Sequence, residues 1–238
     1  MNSELKTYIE QHILPIYQGF DTAHRRDHAD KVIRESLVLA KDYDVNEDMV
    51  YAIAAYHDTG LTKDRKTHHL VSGQIVRADL SLRQWFDEEQ IETMAQAVED
   101  HRASADHAPR SIYGRIVAEA DRNIDPLVIL TRTVQYGLSH YPELDKAGHI
   151  ERTLQHLDEK YSPHGYLKLW IPGSKNEQKL HELWSMMEDS ERLKGMIEDI
   201  YNKEKGDGDP HIKKNSRTSI SHDSHFPLTT FFSKKSRK

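Results

Sequence analysis

Ala54-Ala55-Tyr56-His57-Asp58-Thr59-Gly60 closes a run, Met49 to Tyr56, in which nearly every residue is apolar or small. That pattern predicts a helix packed on all sides. Asn46 stands where an N-cap belongs, Asp48 adds a carboxylate to the first turn, and Gly60 marks a stop just beyond the last turn. An adjacent imidazole and carboxylate therefore fall at the C-terminal end of a buried helix. The helix dipole disfavours a carboxylate there unless a cation compensates it. Neutral imidazole and carboxylate are both ligands for divalent metals, whereas a hydrogen-bonded pair at a helix end is the ordinary alternative.

Working outward, Phe20 to His28 leads into a helix with Val32, Ile33, Leu37, Val38, Leu39 and Ala40. His28, Val32, Ser36 and Leu39 share one side of it, so His28 points toward the core, with His24 one turn earlier. The N-terminal stretch 3–18 carries Leu5, Ile9, Ile13 and Tyr17 at spacing four, a helical stripe interrupted by Pro15. Downstream, a polar loop with Lys63, Arg65 and Lys66 enters a helix for which Thr67 is the expected cap and which opens on His68-His69. Histidines at a helix start beside a basic loop suit an anion site. Asp87 and Gln90 form a capping-box pattern, and the face Ile91, Met94, Ala95, Val98 reaches His101, followed by Arg102. Ser111 caps a helix whose inward face, Tyr113, Val117, Ala120, Asp121, Ile124, buries a carboxylate among apolar neighbours. Singly, each residue has an ordinary explanation. Jointly, His28, His57, Asp58, His101 and Asp121 lie at the inward face or end of separate helices, an N/O donor set for Mn, Fe, Co, Ni, Mg or Zn.

In this order, His28, then His57-Asp58, then Asp121, the chain resembles the H…HD…D signature of the HD-domain metal-dependent phosphohydrolases. Asp27 to Val32 is similar to the family's first-helix His motif, Ala54 to Leu61 to its "AAxxHDxGL" segment, and Glu119 to Arg122 to its final "eAD" motif. The likeness spans about residues 20–130, and Thr59-Gly60 departs slightly from the usual Ile-Gly. The resemblance implies an all-α bundle, which agrees with five or six helices and no strand alternation. It implies His28, His57, Asp58 and Asp121 as metal ligands, and places His69 and His101 where members bind a second metal or the substrate phosphate. The implied reaction is metal-assisted hydrolysis of a phosphoester or phosphoanhydride. In it Asp58, His101 and His69 are the catalytic candidates, the histidines as proton shuttles, while Lys63, Arg102 and Arg122 neutralise substrate oxygens. A non-catalytic metal-binding or nucleotide-sensing module is the alternative, and a helical adaptor without metal is a third reading.

The 238 residues contain no Cys, which excludes disulfides, thiolate chemistry and Zn–Cys sites. The start lacks a signal-peptide pattern, and no stretch approaches the ~20 apolar residues of a membrane span. A cytoplasmic protein without membrane partners is the expectation. Residues 203–238 hold nine Lys/Arg against four Asp/Glu, so the acidic balance, −6 overall, lies entirely in residues 1–202. An acidic body disfavours general nucleic-acid binding and leaves a small phosphorylated substrate as the expected partner, to a monomer or a homodimer. Residues 1–202 read as one helical domain. Its last part comprises a helix after Asp125-Pro126, an aromatic-rich segment Tyr161–Pro172 and a final amphipathic helix over 175–202. Tyr166 or Trp170 either stack on a base over the pocket or complete the core, the second being the stronger expectation. Residues 203–238 read as a flexible basic tail.

Overall fold

The computed structural model describes residues 1–20, 25–105 and 107–206. Among them are ten α-helices and no strand, the expected all-α class. They run α1 Ser3–His12, α2 Arg26–Ala40, α3 Glu47–Tyr56, α4 His68–Ala78, α5 Glu88–Glu99, α6 Ile112–Asp121, α7 Pro126–His140, α8 Lys146–Tyr161, α9 Lys175–Glu188 and α10 Ser190–Lys205.

Helix α3 is the axis of the first half. All of Met49 to Tyr56 is buried, and α1, α2, α4, α5 and α6 pack around it. The cap is as expected: the Asn46 side chain accepts from the backbone N–H groups of Asp48 and Met49. Leu5, Ile9, Tyr17, Val32, Met94, Val98 and Val117 join α3 in one apolar cluster. Each large aliphatic side chain buried here contributes about 1.5–3 kcal/mol. Helices α7 to α10 build a second cluster from Leu130, Val134, Leu157, Leu183, Leu193 and Ile197. A buried carboxylate joins the halves. Glu119 on α6 accepts from the Trp170 backbone N–H at 2.7 Å and from Ser174 Oγ at 2.6 Å.

Several boundaries differ from the expectation of five or six helices. Pro15 stands in the first turn of a separate 3-10 turn, Leu14–Gly19, so the N-terminal stripe is two pieces. The single helix expected over 175–202 is broken at Asp189, which has a non-helical ψ of 78° and whose side chain caps α10 through the Arg192 N–H. Helix α8 carries a buried stripe His149, Thr153, Leu157, Tyr161, half of it polar and so invisible to apolar periodicity. In the aromatic segment, Tyr161, Leu167 and Ile171 are buried in the apolar clusters while Tyr166 is exposed. Helix α10 continues past the expected boundary at 202 to Lys205 and ends on Gly206 at a φ of +85°, the left-handed cap that glycine suits. The rest of the expected tail, from residue 207, and His24 lie outside the described residues.

Candidate metal centre

Five helix ends meet on one side of α3. His28 is in the first turn of α2, His57 is the C-cap of α3 with Asp58 next, and His68 opens α4. His101 follows the C-cap of α5, and Asp121 ends α6. His57, Asp58 and His101 are almost wholly buried.

These side chains form two groups that share Asp58. On one side, His57 Nε2 is 3.2 Å and His28 Nε2 3.6 Å from Asp58 Oδ2, while Asp121 Oδ1 is 3.2 Å from His28 Nε2 and 3.9 Å from His57 Nε2. On the other, His68 Nε2 is 3.3 Å and His101 Nε2 3.4 Å from Asp58 Oδ1. The imidazoles also face each other, His28 to His57 at 3.2 Å and His68 to His101 at 3.1 Å between Nε2 atoms. Donors about 2.1 Å from a shared ion stand ~3.0 Å apart in octahedral and ~3.4 Å apart in tetrahedral geometry. The observed separations lie near those values.

The tautomers strengthen the case. His57 Nδ1 is 2.8 Å from the Ala54 carbonyl, His68 Nδ1 2.8 Å from that of Arg65, and His101 Nδ1 2.6 Å from that of Val98. A carbonyl only accepts, so each Nδ1 carries the hydrogen and each neutral ring turns its Nε2 lone pair inward. Lone pairs from these rings and two carboxylates thus point at one another, an arrangement that needs positive charge at its centre. Protein groups alone supply it by holding protons. Burial opposes the charged form of His28, but its hydrogen bonds to Asp121 and Asp58 push it up to about 10. Burial likewise opposes ionisation of Asp58, yet the neighbouring His57, His101 and His28 hold it well below the carboxylate range. His101 is raised despite burial by Asp58, while burial and the charge of His101 lower His68 to about 4. The set is able to hold a divalent metal ion.

A supporting layer fixes the donors. Buried Tyr17 donates its hydroxyl to the Ala55 carbonyl at 2.9 Å and accepts the Asp58 N–H at 3.2 Å, pinning the His57-Asp58 turn. Arg110 clamps buried Asp100, next to His101, through its backbone N–H at 2.7 Å and guanidinium Nη2 at 2.8 Å. Gly60 is not a helix stop as expected, because α3 ends at Tyr56. It lies in a 3-10 turn, Thr59–Thr62, where its N–H donates to Ser72 Oγ at 2.8 Å and brings α4 close.

His28, His57, Asp58, His101 and Asp121 are thus brought together as expected. His69 is not. On a helix each residue turns about 100° from the last, so with His68 directed at Asp58 its neighbour turns away, and His69 Nδ1 is buried without a hydrogen-bond partner. His68 takes the place expected of His69. His101 Nδ1 is held by the Val98 carbonyl at 2.6 Å while its Nε2 faces Asp58. The expected Thr67 cap is absent: its hydroxyl donates instead to Asp64 Oδ2 at 2.8 Å. Among the expected substrate residues, Lys63 is exposed, and Arg102 Nη1 donates to the Lys66 carbonyl at 2.7 Å, tying the basic turn to the segment after His101. Arg122 is buried and donates through Nη1 to the His101 carbonyl at 2.9 Å. Tyr17 and His68 are the parts of the site whose roles the sequence does not mark. The spacing-four stripe contains Tyr17, and the His68-His69 dipeptide was visible, but neither showed which atom would face the centre.

A protein-family model described as HD domain matches residues 25–123, a span holding every donor named above. No curated protein and no solved structure matches the chain.

Proposed function

Residues 25–123 are an HD domain, the mark of a superfamily of metal-dependent phosphohydrolases, and on that premise we propose that this chain is a hydrolase of phosphoester or phosphoanhydride bonds in a small phosphorylated metabolite, such as a nucleotide. The observation that carries the reading is the division of Asp58 between two donor groups, one oxygen to each. His28, His57, Asp58 and Asp121 would hold one divalent ion, and Asp58, His68 and His101 a second. Ions in such a set polarise phosphoryl oxygens and lower the pKa of water.

The protein's own groups orient the reaction. The C-terminal ends of α3, α5 and α6 direct their partial negative charge at the centre and favour cations there. Arg122, beside Asp121, and Arg102, after His101, provide positive charge for non-bridging phosphoryl oxygens, with Lys63 at the outer turn. Tyr17 and the backbone carbonyls of Ala54, Arg65 and Val98 hold the donors in place without meeting the substrate.

The test is to purify the protein without chelator, quantify bound metals by elemental mass spectrometry, and measure phosphate release from a nucleotide panel with Mn, Co, Ni or Mg added. The expected result is one to two ions per chain with turnover, both lost in Asp58→Ala. Metal without turnover on any phosphate ester would indicate a sensing module instead, and no metal under any loading condition would refute the site.

A further inference from the structure

Arg122 is a buried guanidinium with unfinished bonding. Only 7% of its surface is exposed, Nη1 serves the His101 carbonyl, and Nε has no hydrogen-bond partner. The nearest acids do not complete it. Asp121 turns Oδ1 toward His28, and the carboxylate of Glu119 is taken by the Trp170 N–H and Ser174. Burying an incompletely bonded charge is costly unless a ligand completes it.

A second cation approaches from outside the HD domain. Lys160, in the last turn of α8, is half-buried with its Nζ 5.0 Å from the Tyr161 ring centroid, and among the described residues it has no carboxylate partner. Tyr161, next to Lys160, shares one apolar cluster with Ile124, two residues beyond Arg122, and burial, then the charge of Arg122, draws the ammonium down to about 8. On the α2 side, Lys31, one turn after His28, donates to Asn123 Oδ1 at 3.1 Å. Positive groups therefore gather around the segment 121–123, next to the metal donors.

We propose that Arg122 and Lys160 form an anion subsite beside the metal centre, receiving a second phosphoryl group, so that the preferred substrates are diphosphates or longer phosphoanhydrides rather than isolated monoesters. The first phosphoryl group is placed by the hydrolase reading above, on which this rests. The helices after the HD domain thereby take part in substrate selection.

The full-length protein as isolated, dialysed free of unbound metal, is titrated calorimetrically with methylenediphosphonate and with methylphosphonate. The diphosphonate is expected to bind at least about tenfold tighter, as one added charge-assisted contact allows. Lys160→Gln is expected to weaken the diphosphonate about tenfold and the monophosphonate less than about threefold, with Lys160→Arg restoring most of the loss. Metal content, measured on the same samples, is expected to stay constant across these variants. No preference for the diphosphonate, or an equal loss for both ligands, overturns the subsite even if the protein hydrolyses monoesters. A preserved preference in a protein that releases phosphate from no ester supports the subsite and overturns the hydrolase reading.

Discussion

Gly60 lies so close beneath the first turn of α4 that a Cβ on it would stand 2.0 Å from the His68 carbonyl oxygen and 2.7 Å from the Ser72 nitrogen. Both obstacles are backbone, so no rotamer change relieves them. The contact sets how near α4 comes to Asp58 and hence whether His68 reaches its 3.3 Å separation. Gly60→Ala should therefore destabilise the fold by about 2–3 kcal/mol, at the upper end for overpacking. It should also lower metal content by displacing His68. Urea unfolding and elemental analysis check both, and unchanged values for the two would show that α4 is not positioned by this contact.

His68 and His69 are neighbours with different expected roles. His68→Ala removes a donor whose Nε2 faces both Asp58 and His101, and should reduce bound metal by up to one ion per chain while sparing the His28 group. His69→Ala deletes a ring outside the cluster and should leave the metal content unaltered. Stoichiometry measured on the two variants side by side decides the matter, and the reverse pattern would restore His69 as the ligand.

What was legible in the sequence was whatever a helical period or a helix end exposes. The buried α3 run announced His57 and Asp58, and the α2 and α6 faces directed His28 and Asp121 inward. The choice between His68 and His69 needed the phase of α4, which a Thr67 cap would have fixed, but the Thr67 hydroxyl bonds Asp64 instead. Tyr17 reads as one more large residue in an apolar stripe, because its role resides in a hydroxyl that reaches Ala55, 38 residues away. The break between α9 and α10 rests on the backbone of Asp189, a residue type equally at home on a helix surface. Lys160 carries no local signal, since the role proposed for it depends on the end of α8 sharing an apolar cluster with Ile124, far away in sequence.

Away from the metal centre, His156 on α8 gives the fold a pH dependence. It is half-buried against the edge of Tyr161, and burial, then the charges of Lys160 and Arg152, lower it to about 4. An unfolded histidine titrates near 6.5, so between roughly pH 6.5 and 4 the unfolded chain binds a proton that the folded chain refuses. Stability tied to this group is therefore complete above pH 6.5 and falls as the solution is acidified, by about 1–2 kcal/mol at pH 5 once partial exposure is discounted. His156→Gln removes the titration, so the drop in unfolding free energy from pH 7 to pH 5 should be smaller in the variant by that amount. The carboxylates titrate equally in both proteins and cancel in the comparison. Parallel urea melts at the two pH values provide the measurement, and equal drops would mean that His156 protonates freely in the folded state.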